Sequence, residues 1–250
     1  KGGVGKTTTA VNLAASLAAT RREVLLIDLD PQGNATTGCG VDKSTLERGT
    51  LEVLLGECTA AAAVLRLAEA GMALLPANQD LTAAEVRLLS LSAGRELRLR
   101  QALAPIRSGY DVVLIDCPPS LNILTVNALV AADSVLVPMQ CEFYALEGLS
   151  SLVATIEQIR ASANPGLKIE GILRTMYDPR NNLATEVGSQ LLQHFGDQVF
   201  RTVVPRNVRL AEAPSFGRPA LHYDKDSRGA LAYLALAGEM LRREDSAQAG

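Results

Sequence analysis

The chain has 250 residues, 48% of them apolar and 4% aromatic, with a formal net charge of −3. That length suits one large α/β domain with a core of Leu, Val, Ile and Ala. The charge excludes a generally basic nucleic-acid-binding chain, though not a local basic patch. No apolar run approaches the ~20 residues of a membrane span. Cysteines at 39, 58, 117 and 141 form neither a CxxC pair nor a zinc-like cluster, which fits reduced thiols in a cytosolic protein.

The first residues are Lys1-Gly2-Gly3-Val4-Gly5-Lys6-Thr7-Thr8, followed by a helix-like run from Thr9 to Ala19. Glycines let successive backbone N–H groups turn toward one anion, and the following helix points its N-terminal dipole at it. In such a loop Lys6 reaches the β- and γ-phosphates and the Thr7 hydroxyl binds Mg²⁺. The spacing is that of the deviant Walker A loop, with a second lysine five positions before the usual one. A phosphate loop joins a strand to a helix, so a strand is expected just before Lys1, and residues 1–250 are expected to lack that first, central strand.

Short apolar runs then alternate with amphipathic segments. The strand-like runs are 24–28, 72–76, 112–116, 134–138, 169–175 and 199–204. The helix-like ones are 81–91, 95–106, 121–132, 146–163, 184–195 and 229–243. Continuous apolar strands between helices predict a three-layer, doubly wound α/β fold, its mostly parallel sheet covered by helices on both faces. With the opening loop, this is a P-loop NTPase-like fold class. We expect a single domain over 1–243 and a disordered, charged tail over 244–250.

In such sheets ligands bind beyond the carboxyl ends of the strands. The run 25–34 places Asp28 and Asp30 at one such end. One carboxylate there would orient the attacking water and the other would support the Mg²⁺ shell. The run 111–120 ends a second strand in Asp116, a Walker B carboxylate that holds Mg²⁺, usually through water. Pro205 and Asn207 follow another strand, where they could contact a base.

Residues 168–228 carry a net charge of +2 and the rest of the chain −5. This mild asymmetry reads either as a solvated face or as a patch for DNA phosphates built from Arg180, Arg206 and Arg209. No helix-turn-helix or zinc-finger pattern is present, so any DNA binding is expected to be non-specific. His194 and His222 are isolated and receive no role.

The stretches 1–14, 28–36, 111–120, 142–148 and 205–217 together resemble the ParA/Soj chromosome- and plasmid-partitioning ATPases. The resemblance spans nearly the whole chain, and Pro205-Arg206-Asn207-Val208-Arg209-Leu210 opens its most specific motif. It implies an ATP hydrolase that uses Mg²⁺ and forms an ATP-dependent homodimer. Lys1 would reach across to the partner's nucleotide, and Gly2, Gly3, Val4, Gly5, Lys6, Thr7 and Thr8 would bind phosphate and metal.

By the same resemblance Asp30 activates water and Asp116 is the Walker B residue. Arg180 and Arg209 match non-specific DNA contacts, and Pro205 and Asn207 lie near adenine. The implied partners are non-specific DNA and a ParB/Spo0J-like centromere-binding protein, with a cytoplasmic, nucleoid-associated location and no membrane role. Cys117 stands where the family more often has alanine.

Two other classes share the ATPase core and a third shares the opening loop. A MinD-like membrane-cycling regulator of division-site placement needs a C-terminal basic amphipathic helix, and the sequence from Gly238 onward offers none. A positioning ATPase for a non-DNA cargo is not separable on sequence. A nitrogenase-reductase-like carrier would need cluster cysteines, which these spacings do not support.

Overall fold

Each of the six apolar runs forms a strand in the computed structural model, which describes residues 2–248. The strands are β1 (Val24–Asp28), β2 (Leu65–Leu67), β3 (Met72–Leu75), β4 (Val112–Asp116), β5 (Ser134–Gln140), β6 (Lys168–Tyr177) and β7 (Val199–Pro205). The long helices are α1 (Lys6–Ala18), α2 (Ile123–Ala131), α3 (Ala145–Ser162), α4 (Asn182–Phe195) and α5 (Arg228–Gln248). They are joined by α6 (Thr82–Leu89) and by the short α7 (Val208–Glu212) and α8 (Ala220–Tyr223).

Two sheets result among the described residues, one ordered β2-β3-β1-β4 and the other β5-β6-β7. All pairings are parallel except β2 with β3. The mostly parallel α/β prediction holds. Among the described residues β4 and β5 are not paired with each other. One apolar cluster nevertheless crosses both sheets. It joins Leu26 and Leu74 to Leu173, Phe200 and Val204 under α1 and α5, with Leu114 and Leu136 packed against it. Opposite faces of the strands pack on other helices, Leu25, Ile27, Leu75, Leu88 and Leu124 forming a second cluster. Helices therefore cover the first sheet on both faces, which is why β3 and all of β1 before its terminal Asp28 are apolar.

Three features depart from the sequence reading. The segment 95–106 is not one helix, because a 3₁₀ turn over Arg95–Leu97 precedes a short helix over Arg98–Leu103. Edge strand β2 carries no strand signal in its Leu-Arg-Leu sequence and is largely exposed. Of the tail expected over 244–250, residues 244–248 continue α5 as its last turns, and residues 249–250 lie outside the described residues. Glu, Ala and Gln are good helix formers.

Earlier in α5, Glu239 is buried. Its carboxylate accepts from the backbone N–H groups of Arg201 and Thr202, both at 2.8 Å, and from Arg243. These contacts hold its pKa below the ordinary value although burial works against them. They pin α5 to β7.

Candidate nucleotide site and the arginine loops

The phosphate loop is built as its glycines predict. Gly3 and Gly5 have φ of +79° and +85°, a left-handed conformation open to glycine at little cost. Gly5 is the N-cap of α1 and offers no capping side chain, so the first N–H groups of the helix remain directed into the loop. Lys6 and Thr7 begin the helix. Asn12 then fixes α1 in place: its Nδ2 donates to the Thr8 carbonyl at 2.8 Å, and its Oδ1 accepts from Ala220 N–H at 2.7 Å. On the next face Thr9 Oγ1 lies 3.1 Å from the Tyr233 hydroxyl of α5. Lys1, the residue read as reaching across a dimer, lies outside the described residues.

Adjacent strands β1 and β4 bring the carboxylates together. Their register pairs Asp28 directly with Asp116. Asp28 is fully buried and accepts from the Thr36 hydroxyl at 2.7 Å, the Thr36 N–H at 2.8 Å and the Asp30 N–H at 3.2 Å. Burial still dominates and pushes its pKa up to about 6. The Thr36 hydroxyl in turn accepts from Ala77 N–H at 2.9 Å, which links β1 to the segment after β3. Asp28 is thus a structural strut. Asp30, two residues on, is the second carboxylate. Its Oδ1 accepts from Gln32 N–H at 2.9 Å and shapes the turn.

Asp116 differs from both. It is buried, and neither carboxylate oxygen accepts a well-formed hydrogen bond. Desolvation raises its pKa to about 7. The nearby Thr7 hydroxyl and the Lys6 charge oppose that rise, and the charges of Asp28 and Asp30 add to it. These influences put Thr7, Lys6, Asp28 and Asp30 within electrostatic range of Asp116. A buried, unpartnered carboxylate is costly unless something cationic or hydrogen-bonding meets it.

No group of three or more His, Cys, Asp or Glu among the described residues is placed to cage a metal. The side chains that could meet a cation here are the Asp116 carboxylate and the Thr7 hydroxyl, with further positions open to water and phosphate. Mg²⁺ characteristically binds in this way. Cys117 borders the site with a thiol pushed up to about 12, first by burial and then by Asp116. That thiol is inert at neutral pH.

The arginines fall into two clusters. Arg180 is exposed and forks onto Asp178, with Nε–Oδ1 at 3.0 Å and Nη2–Oδ2 at 2.8 Å. This pairing holds the Asp178 carboxyl down at about 2, and Arg206 from the neighbouring loop adds to the effect. Arg206 and Arg180 are thus brought near one carboxylate. The ion pairs of Arg209 run elsewhere, to Glu212 at 2.8 Å and Asp224 at 3.1 Å.

Both of the predicted phosphate contacts on Arg180 and Arg209 are therefore occupied by carboxylates. Pro205 ends β7, in register with Tyr177 of β6. Asn207 uses its Oδ1 to cap α7, accepting from Leu210 N–H at 3.3 Å, which leaves its amide N–H₂ free of that cap.

Sequence reasoning missed Thr36 and Thr175. Thr36 stands inside the stretch that marked Asp28 and Asp30, but nothing local shows its hydroxyl turned back onto Asp28. Thr175 donates to the Val4 carbonyl at 2.8 Å across 171 residues of sequence, a contact that only the fold creates.

A family model described as an AAA domain matches residues 1–169. The chromosome partitioning protein ParA of Caulobacter vibrioides is 52% identical, over 100% of this chain and 94% of its own length. The chromosome-partitioning ATPase Soj of Thermus thermophilus is 54% identical, over 99% of this chain and 94% of its own. Among solved structures, one described as cobyrinic acid a,c-diamide synthase from Mycobacterium smegmatis, with bound ADP and magnesium, superposes with a TM-score of 0.85. It is 41% identical and covers 99% of this chain and 93% of that one.

Proposed function

The chain belongs to the ParA/Soj family of partitioning ATPases, and on that premise we propose that it is an ATP-driven DNA-segregation switch. ATP with Mg²⁺ joins two copies, the dimer binds DNA without sequence preference, and hydrolysis releases it. The observation that carries this reading is the buried Asp116 carboxylate, which accepts no well-formed hydrogen bond, beside the Thr7 hydroxyl and the Lys6 charge of a loop whose Gly3 and Gly5 are left-handed. The ADP and magnesium bound by the Mycobacterium relative support the same assignment.

The residues divide the work. N–H groups of the loop and the Lys6 ammonium bind the phosphates. Asp116 and Thr7 would hold hydrated Mg²⁺, which when bound neutralises charge on the phosphate oxygens. Asp30, whose Oδ1 is committed to Gln32, keeps Oδ2 to orient a water against the γ-phosphorus. Attack forms a new P–O bond, the bond to the β-phosphate oxygen breaks, and ADP and phosphate leave. Lys1 supplies a second positive charge from the partner copy.

DNA phosphates then compete with carboxylates for Arg180 and Arg209. Exposed ion pairs of this kind are weak, so the exchange costs little, and two copies of each arginine on one dimer favour it further. A ParB-like partner would accelerate hydrolysis, and the nucleoid would be the site of action.

Phosphate release by the purified protein tests the catalytic half of the reading. Turnover is expected to require ATP and Mg²⁺ and to rise when DNA and the ParB-like partner are added. Release that is unchanged by removing Mg²⁺ would contradict it.

A further inference from the structure

Val4 lies in the phosphate loop and Thr175 lies near the end of β6, yet the Thr175 hydroxyl donates to the Val4 carbonyl at 2.8 Å. Thr175 is 2% exposed and Val4 is half-buried, so the bond is partly shielded from water. A Cβ placed on Gly5 would sit 3.9 Å from Thr175 Cβ and 3.9 Å from Met176 Cε. The end of β6 is therefore the surface on which the loop rests.

The strand is deformed at this point. Its register with β7 shifts between Arg174 and Tyr177. Met176, between them, has φ +50°, a conformation that residues with a side chain seldom adopt. Irregularities of this kind re-aim a side chain beside a site.

The consequence for the loop follows from peptide geometry. All described peptides are trans, and in a planar trans peptide the C=O and N–H point in opposite directions. Holding the Val4 carbonyl against β6 turns the Gly5 N–H away from β6. With Gly3 and Gly5 both left-handed around Val4, that orientation is the one an anion-binding nest requires.

We propose that Thr175 is a positioning residue of the nucleotide site, fixing the Val4–Gly5 peptide in its phosphate-binding orientation before nucleotide arrives. It touches neither phosphate nor metal and acts only through the loop backbone. Loop N–H groups cradle phosphates that ATP and ADP share, so the effect is on binding of both nucleotides and not on the hydrolytic step. The inference rests on the ATP-site reading above.

Thr175→Val keeps the shape and removes the donor, whereas Thr175→Ser keeps the donor. Equilibrium titration with fluorescent ADP and ATP analogues is expected to show both Kd values raised about tenfold in the Val variant, the size of one lost hydrogen bond. The Ser variant should stay within about twofold of the unmodified protein. The turnover number should hold while KM rises, the pattern of lost uniform binding. The nucleotide-free melting temperature, measured in parallel, separates this from a structural role, which would lower the melting temperature and leave Kd in place.

If the Val variant does not fold, Thr175→Ala against Thr175→Ser makes the same comparison. Unchanged Kd in the variant lacking the hydroxyl, or equal weakening in the Ser variant, would overturn the proposal. Failure of the unmodified protein to bind either nucleotide would instead overturn the ATP-site reading on which it stands.

Discussion

Asp116→Asn separates the cost of the buried carboxylate from its function. In the fold the acid's pKa stands at about 7 against an ordinary 3.8, chiefly through desolvation. A carboxyl that binds its proton more tightly folded than unfolded favours the fold at low pH. That advantage is lost as pH rises from about 4 through about 7. Above pH 7 the ionised carboxylate therefore costs the nucleotide-free protein about 4 kcal/mol relative to its neutral form.

Asparagine removes that charge but leaves an amide with few partners, at a cost of about 1–3 kcal/mol. The net gain is about 1–3 kcal/mol at pH 8. For a chain of this size, Tm rises by about 2–4 °C for each kcal/mol. At pH 5 the wild-type carboxyl is already protonated, and the substitution brings no gain. Thermal unfolding in the presence of a chelator, without nucleotide, at pH 5 and pH 8 reads both values. An equal shift at the two pH values, or destabilisation at pH 8, would refute the reasoning. In the same variant the extra stabilisation that Mg²⁺ gives to nucleotide binding should vanish.

Three further outcomes follow from the site. Asp30→Ala is expected to keep ATP binding and to lower turnover by about 10²–10⁴, the usual contribution of a positioned base, as read by phosphate release. Lys1→Ala should leave nucleotide binding to the monomer and abolish ATP-dependent dimerisation. Light scattering checks this, and an undiminished dimer would remove the cross-subunit role. Replacing Arg180 and Arg209 together with alanine should weaken binding to every DNA sequence alike. The slope of log K against log salt should fall by about 1.8 for each dimer arm, a value that anisotropy titrations at several salt concentrations would measure.

Much of the site is legible in the sequence because it is assembled from strand ends. Asp28 and Asp116 each close a run of apolar residues, and the parallel pairing of those runs aligns the two acids. The glycine loop is legible for a similar reason: its chemistry is in the backbone, and positive φ at Gly3 and Gly5 leaves its mark on residue type. Contacts made across the fold leave no such mark. Thr175, Glu239 and Asn12 are ordinary strand and helix residues until the fold brings the phosphate loop, β7 and α8 to them.

Gly217 lies between these cases. It ends the most family-specific stretch, and its φ is +62°. Only the structure shows that a Cβ there would come within 2.6 Å of Gly40 Cα, so that two backbones pass with no room for a side chain. The state of the arginines was also hidden. A count of charges shows an excess over 168–228 but not that Asp178, Glu212 and Asp224 already hold Arg180 and Arg209.

The most direct test of the switch is binding of the protein to two unrelated DNA duplexes, followed by fluorescence anisotropy at fixed salt with ATP and Mg²⁺ or with ADP and Mg²⁺. Binding of both duplexes with similar affinity in ATP, and its loss in ADP, is the predicted result. Equal binding in the two nucleotides, or no binding in ATP by protein that hydrolyses it, would contradict the account.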